Sequence, residues 1–230
     1  MDSPACMISI IVPTLNEETA ILRTLSALVA LPGLKEIVVA DGGSDDRTIE
    51  RARCSGVRVI ECGRGRGIQM HVGAGESRGD ALWFLHADTL PDGSALEDIE
   101  AALQDPNVVG GNFSVVFDGN GLSSRQMTWI YPRLRVLGLT YGDAGIFVRR
   151  SAYEALGGFR PLPLFEDLDL IGRLRTAGKF VHLETRVFTS SRRFAGSRYL
   201  LSWIVWIALQ LLFWAGVSPH RLARLYRNAR

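Results

Sequence analysis

Apolar residues in the first part of the chain come in short blocks, each cut off by a turn-forming cluster. Met7–Val12 is almost wholly apolar and stops at Pro13, which predicts a strand buried on both faces. Ile37–Ala40 ends at Asp41-Gly42-Gly43-Ser44-Asp45-Asp46, Val57–Glu61 is a third strand, and Ala81–Leu85 a fourth that runs into His86-Ala87-Asp88-Thr89. Between the first two, Ile21, Leu22, Leu25, Leu28 and Val29 follow the helical period up to Pro32-Gly33. Glu17 and Glu18 are expected in the first turn of that helix, where they suit its dipole. Ser44 or Asp45 is expected to cap the next helix, which continues through Arg53. Strand and helix alternating with short connections predict an α/β chain with a Rossmann-like, mostly parallel sheet.

Further along, Ser94–Gln104 reads as a helix and Val108–Phe117 as a longer strand. Gly110-Gly111 should mark a bulge or a close approach there. Residues 123–137 read as a helix broken near Pro132, Tyr141–Val148 as a polar turn entering a strand, and Ser151–Leu156 as a helix ending at Gly157-Gly158. Phe165 introduces Glu166-Asp167, after which Leu170, Ile171, Leu174 and Ala177 form a helical stripe. Tyr199–Val217 carries no charge and is apolar all round. Ser218-Pro219 then begins a second helix, with Leu222, Leu225 and Tyr226 on one side and arginines on the other. The expected division is residues 1–193 as the working domain and 194–230 as a helical C-terminal segment.

Charge changes this picture only locally. The formal net charge is +2, but no Asp or Glu follows Glu184 while eight arginines do, so the C-terminal part is cationic. The apolar stretch reaches the lower range for a membrane span, yet arginines flank both ends and give no clear orientation. It is read as a peripheral membrane contact or a homodimer face, with a core helix or a true span as alternatives. The three cysteines show no metal-ligand spacing and suit a reducing compartment. The start of the chain lacks a basic signal-peptide region. The expected location is cytoplasmic, at the inner face of the cell membrane if the C-terminal segment touches it. No nucleic-acid partner is expected.

The candidate chemistry lies at strand ends. In open α/β sheets, ligands bind outside the carboxyl ends of strands, and Asn16, Asp41 and Asp88 all fall there. A carboxylate such as Asp88 can hold a hard divalent cation, which in turn holds a diphosphate; it can also merely begin a turn. The segment Gly63-Arg64-Gly65-Arg66-Gly67 reads as a basic loop whose arginines can face an anion, and it is neither a dinucleotide fingerprint nor a P-loop. Glu166 and Asp167 fit a helix start equally well as dipole partners.

Taken together, these motifs resemble the family 2 glycosyltransferases of the GT-A fold over about Met7 to Arg193. Val12-Pro13-Thr14-Leu15-Asn16-Glu17 is similar to that family's opening motif, and Val38–Thr48 to its second-strand signature. Leu85-His86-Ala87-Asp88 occupies the place of the Asp-x-Asp metal motif, and Phe165-Glu166-Asp167 that of the Glu-Asp pair. Ser191-Arg192-Arg193-Phe194 is similar to the downstream basic-aromatic motif. Gly-Arg-Gly-Arg, Leu-His-Ala-Asp-Thr and Tyr-Gly-Asp with Ile-Phe-Val-Arg-Arg narrow the resemblance to the bacterial arsenosugar-biosynthesis, or selenodomain-associated, glycosyltransferases, from which no substrate is carried over.

The resemblance implies a nucleoside-diphosphate sugar donor, UDP-linked by preference, and an acceptor hydroxyl of unknown identity, a lipid-linked one among the options. It implies Mg²⁺ or Mn²⁺ on Asp88, and Asp167 as the base of an inverting displacement. Asp41 would accept from the nucleobase, with Pro13, Thr14, Leu15, Glu17 and Gly43 around the nucleoside. Arg64, Arg66 and Arg193 would meet the phosphates, His86 and Ala87 the donor, and Asp143 and Glu166 the acceptor side. His86 departs from the family, where an Asp is usual; a neutral imidazole adds no charge to a metal site. His71, His182 and His220 are expected to be ordinary packing or surface residues. A sugar nucleotidyltransferase and a non-catalytic nucleotide-sugar or membrane-binding protein are the alternatives.

Overall fold

The computed structural model describes residues 6–118, 125–126, 128–130, 144–190 and 199–228, with the side chains of 199–203 and 227–228 excepted. Its centre is an eight-stranded sheet. The strands are β1 (Ile8–Thr14), β2 (Lys35–Asp41), β3 (Arg58–Glu61), β4 (Ala81–Phe84), β5 (Thr89–Pro91), β6 (Val108–Asp118), β7 (Ile146–Arg149) and β8 (Lys179–Ser190). Their order across the sheet is β3-β2-β1-β4-β7-β6-β8-β5. The β3-β2-β1-β4 half and the β6–β8 pair are parallel, whereas β7 and β5 pair antiparallel with their neighbours. The α/β, mostly parallel architecture expected from the sequence is therefore present.

The helices are α1 (Ile21–Ala30), α2 (Thr48–Cys54), α3 (Arg66–Gly75), α4 (Ala95–Leu103), α5 (Arg150–Ala155), α6 (Glu166–Ala177), α7 (Tyr199–Trp214) and α8 (Pro219–Asn228). They lie on both faces of the sheet because the strand side chains alternate with period two. Ile8, Ile10 and Val12 join the core on the α1 and α4 side, together with Trp83. Ile11, Leu82 and Phe84 point the other way, against α3, α5 and α6. Strands covered on both faces read as the continuous apolar runs seen in β1 and β4.

Several local expectations change. Helix α1 begins at Ile21, so Glu17 and Glu18 precede its first turn, which contains no acidic residue. Its buried stripe is Ile21, Thr24, Leu25 and Leu28; Leu22 and Val29 are exposed. Neither Ser44 nor Asp45 caps α2; Asp46 instead accepts from the Thr48 N–H (2.9 Å). The basic loop is half helix, since α3 starts at Arg66. Strands β5 and β8 were not expected at all. Gly110 does mark a close approach, because a Cβ there would lie 2.5 Å from the Phe147 carbonyl, and the β6–β8 register shifts between Val108 and Gly110. The expected helix over residues 123–137 lies largely outside the described residues.

The C-terminal helices pack on the start of α6. Leu209 of α7 and Leu222 of α8 are buried with Phe165 and Leu168, and Trp206, Phe213 and Tyr226 complete this smaller core. Among the described residues, no helix is long and apolar enough to cross a membrane.

Candidate functional site

The parallel strands β1, β2 and β4 end on the same edge of the sheet, and their C-terminal loops are tied together. Asp41, the last residue of β2, is fully buried. Its Oδ1 accepts from the N–H groups of Gly43 (2.9 Å) and Ser44 (2.7 Å). Its Oδ2 accepts from the hydroxyls of Thr14 (2.8 Å) and Ser44 (2.7 Å). Those four bonds match the acceptor capacity of a carboxylate. Gly43 permits the tight turn with a φ of +85°. The β1–α1 loop zips onto the same turn: Asn16, left-handed at φ +56°, donates from N–H to Ser44 Oγ and accepts at Oδ1 from Asp45 N–H, both at 2.9 Å.

Helix α3 adds a third tie. Gln69, almost fully buried, donates from Nε2 to the carbonyls of Thr14 (2.6 Å) and Ala40 (3.1 Å), bridging the ends of β1 and β2. On β4, the Thr89 N–H closes a turn onto the His86 carbonyl (3.1 Å), and Ala87's carbonyl accepts from Thr24 Oγ1 of α1 (2.6 Å). The turn carrying Asp88 is therefore fixed from both sides.

The β1–α1 loop, the segment before and into α3 and the Asp88 turn surround a cleft of about 620 Å³, within the size range of small-molecule sites. Of the residues expected at a donor site, Pro13, Thr14, Leu15, Glu17, Arg64, Arg66, His86, Ala87 and Asp88 line it. Gln69, Phe117, Thr189 and Ser190 line it too, and the sequence had not marked them. Phe117, Thr189 and Ser190 lie at the far ends of β6 and β8, whose pairing brings them here. A polar residue ending each of several strands was the available signal, but it needed the strand β8 to be recognised first.

Asp41 and Gly43, expected around the nucleoside, are not among the residues that line this cleft. Asp41's oxygens are directed into its own loop, and its visible work is to hold the β1 and β2 loops together. Asp143 and Arg193 fall outside the described residues. His71 pairs with Tyr153 Oη (3.1 Å), His182 with Asn112, and His220 is exposed; none lines the cleft.

Glu166 and Asp167 stand behind one wall of the cleft, 3% and 6% exposed. Phe165, left-handed at φ +62°, turns the chain so that α6 begins with this pair. Arg66 connects them to the cleft that it also lines: Nε donates to Glu166 Oε1, and Nη2 lies 3.7 Å from Asp167 Oδ2. Its Nη1 is 3.4 Å from His86 Nε2. Burial pushes the Glu166 carboxyl above its ordinary range, against the pull of the Arg66 guanidinium and with a further push from Asp167. Gly67 makes this approach possible, since a Cβ there would sit 2.8 Å from the Arg160 carbonyl and 3.2 Å from Glu166 Cβ.

Among the described residues, no group of three or more His, Cys, Asp and Glu side chains is placed to hold a metal by itself. Asp88 is the carboxylate at the cleft mouth of β4, with His86 two residues before it. One carboxylate fits a hard cation whose remaining ligands are water and substrate phosphates.

Comparison with known proteins bears on the fold and the family. The chain is 26% identical over 201 residues to a Bacillus subtilis (strain 168) protein named "Probable glycosyltransferase YdaM", covering 74% of this chain and 47% of that one. It thus spans about half the length of that relative. It is 28% identical over 244 residues to an undecaprenyl-phosphate 4-deoxy-4-formamido-L-arabinose transferase of Pseudomonas paraeruginosa (strain DSM 24068 / PA7), covering 96% of this chain and 69% of that one. Its fold is similar to Mycobacterium tuberculosis glucosyl-3-phosphoglycerate synthase, solved with Mn²⁺, UDP and glucosyl-3-phosphoglycerate. That match has a TM-score of 0.59 and 21% identity, and covers 79% of this chain and 70% of that one. Residues 9–155, well over half the chain, match the model of glycosyl transferase family 2. The β1 and β2 loops, the Asp88 turn and every cleft-lining residue except Thr189 and Ser190 fall in that range, and this chain belongs to glycosyl transferase family 2.

Proposed function

We propose that this chain is a metal-dependent, inverting glycosyltransferase that moves a sugar from a nucleoside-diphosphate sugar, UDP-linked by preference, onto an acceptor hydroxyl. The observation that carries this reading is Arg66, which lines the cleft shared with Asp88 and also holds the buried Glu166–Asp167 pair. A donor in the cleft and a base behind it would then be linked by a single side chain.

In this reading Pro13, Thr14 and Leu15 wall the nucleoside, and Arg64 and Arg66 donate to the diphosphate. Asp41 can accept from a base only if the Ser44 hydroxyl turns away from Oδ2. A divalent cation, Mg²⁺ or Mn²⁺, held by Asp88 and the donor phosphates, would supply neutralisation of the charge growing on the leaving oxygen. Asp167 takes the acceptor's hydroxyl proton as the new C1–O bond forms and the C1–O–phosphate bond breaks, releasing the nucleoside diphosphate. One displacement with one base inverts the anomeric carbon. Arg193 on the phosphates and Asp143 on the acceptor side enter from the sequence resemblance alone.

Within the family we assign the chain nearest the arsenosugar-biosynthesis subgroup, without a substrate. The polyprenyl-phosphate relative supports a lipid-linked acceptor met at the inner face of the cell membrane. The free cysteines Cys6, Cys54 and Cys62 suit a reducing compartment.

The test is product release from a panel of nucleoside-diphosphate sugars, for the wild type and Asp167→Asn. Release of nucleoside diphosphate, falling by about 10²–10⁴ in the variant while donor binding persists, is the expected result. Release of pyrophosphate would make the protein a nucleotidyltransferase, and unchanged turnover in the variant would remove Asp167 as the base.

A further inference from the structure

Helix α7 has two apolar sides, and only one of them is used. Val205, Trp206, Leu209 and Phe213 pack toward Phe165, Leu168 and α8. On the other side Ile204 is 64% exposed, Leu211 57% and Trp214 51%, with Ile207 and Leu212 close behind. At 3.6 residues per turn, the exposed positions 204, 207, 208, 211, 212, 214 and 215 cover an arc of roughly 160° and contain no polar residue. A surface helix ordinarily turns charged or polar residues toward water there. A contiguous apolar patch of this kind marks an interaction surface.

The neighbouring helix indicates what covers it. Tyr226 of α8 packs on Trp206 of α7 at a ring separation of 5.2 Å, so the two helices are side by side. Leu222 and Tyr226 face inward, while His220, Arg221, Arg224 and Leu225 are exposed. No acidic residue follows Glu184 in the chain. An apolar arc beside exposed arginines, with no carboxylate in either helix, complements a surface that is apolar within and anionic at its edge. A second copy fits less well, because a two-fold contact sets each patch against itself and brings like charges together.

We propose that α7 and α8 form an interfacial anchor that seats this protein on an anionic lipid bilayer. Helix α7 lies in the plane of the interface with the Ile204–Leu211 side in the acyl boundary and Trp214 at headgroup depth. Arg221 and Arg224 meet the lipid phosphates. The inner side of the same helix touches Phe165, so docking sets the start of α6 close to the bilayer. The surface stands independently of the sugar-transfer reading, since none of these residues lines the cleft.

The test is sedimentation of the full-length protein with vesicles of phosphatidylcholine alone or mixed with phosphatidylglycerol, at low and high salt, with UDP binding measured in parallel. The wild type is expected to bind the mixed vesicles and to be released by salt. Arg221→Glu with Arg224→Glu should weaken binding by about 25-fold or more, from about fivefold per arginine lost. Leu211→Glu with Trp214→Glu should abolish it, and both pairs should keep wild-type UDP binding and elute as folded protein. Equal binding by the wild type and the Leu211/Trp214 pair would overturn the anchor. So would a wild-type dimer that ignores vesicles and becomes monomeric in that pair. Loss of UDP binding by every form would count against the transferase reading and leave the vesicle result to stand on its own.

Discussion

Phe165 adopts the left-handed backbone conformation, φ +62°, and its ring lies 5.1 Å from that of Phe213, contributed by the C-terminal helix α7. A bulky residue in that region carries about 1–2 kcal/mol of strain and persists only where its surroundings fix it. Here Trp206 adds an edge contact at 5.7 Å, and the side chain is 3% exposed. The next two residues are Glu166 and Asp167, so the packing of α7 sets where the buried carboxylate pair begins.

Phe165→Ala is expected to lower stability by about 3 kcal/mol, mainly through the cavity it leaves. Phe165→Gly loses the same ring but relieves the left-handed strain, so it should be the more stable of the two by about 1 kcal/mol. Urea denaturation of both variants checks this; an Ala variant equal to or better than Gly would show that the backbone is not held in this conformation.

Arg66 and Glu166 give a pH signature. Burial raises the Glu166 carboxyl above its ordinary value of 4.5, so the folded state keeps this proton after the unfolded state has lost it. Its contribution to stability is therefore fully present below about pH 4.5 and is lost as pH rises through the folded value. Arg66→Ala removes the main opposing pull and leaves two neighbouring carboxylates buried. It should cost about 2–3 kcal/mol at neutral pH, less than for a wholly buried pair because Arg66 is partly exposed. The deficit should shrink toward acid, and adding Glu166→Gln should restore part of it. Denaturation at pH 5 and pH 8 reads both effects, and a deficit independent of pH would contradict them.

Gly67 tests the close approach of α3 to α6. A Gly→Ala change inside a helix ordinarily gains about 1 kcal/mol. At this position the added methyl would meet the Arg160 carbonyl at 2.8 Å, a backbone atom that cannot swing away. Gly67→Ala is expected to destabilise by about 1–3 kcal/mol and to lower turnover by displacing Glu166 from Arg66. A stabilised, fully active variant would mean that the two helix starts are not in this contact.

Much of this was legible in the chain. Strands β1, β2 and β4 announce themselves because strands covered on both faces are continuous apolar runs; β1 ends on the cleft residue Thr14 and β4 leads to Asp88, while Arg64 follows the shorter β3. Strand β8 stayed hidden because Lys179-Phe180-Val181-His182-Leu183-Glu184 mixes charge with apolar residues on a partly exposed strand, and with it went Thr189 and Ser190. Asp41 shows a different limit. Its place at a strand end was readable, but the direction of its carboxylate depends on Thr14 and Ser44, donors from two separate loops that no spacing predicts. Gln69 was passed over because a buried amide that ties two strand ends looks, in sequence, like any polar residue of a helix.

The cleft beside Asp88 is expected to bind a nucleoside diphosphate through a divalent cation. Calorimetric titration of UDP, GDP and CMP into the wild type and Asp88→Ala, with and without Mn²⁺, tests it most directly. Binding of one diphosphate, UDP by preference, that requires Mn²⁺ and disappears in Asp88→Ala is the predicted result. Binding that is indifferent to Mn²⁺ and to Asp88, or no binding to any of the three, would contradict the account and leave only the fold and the family.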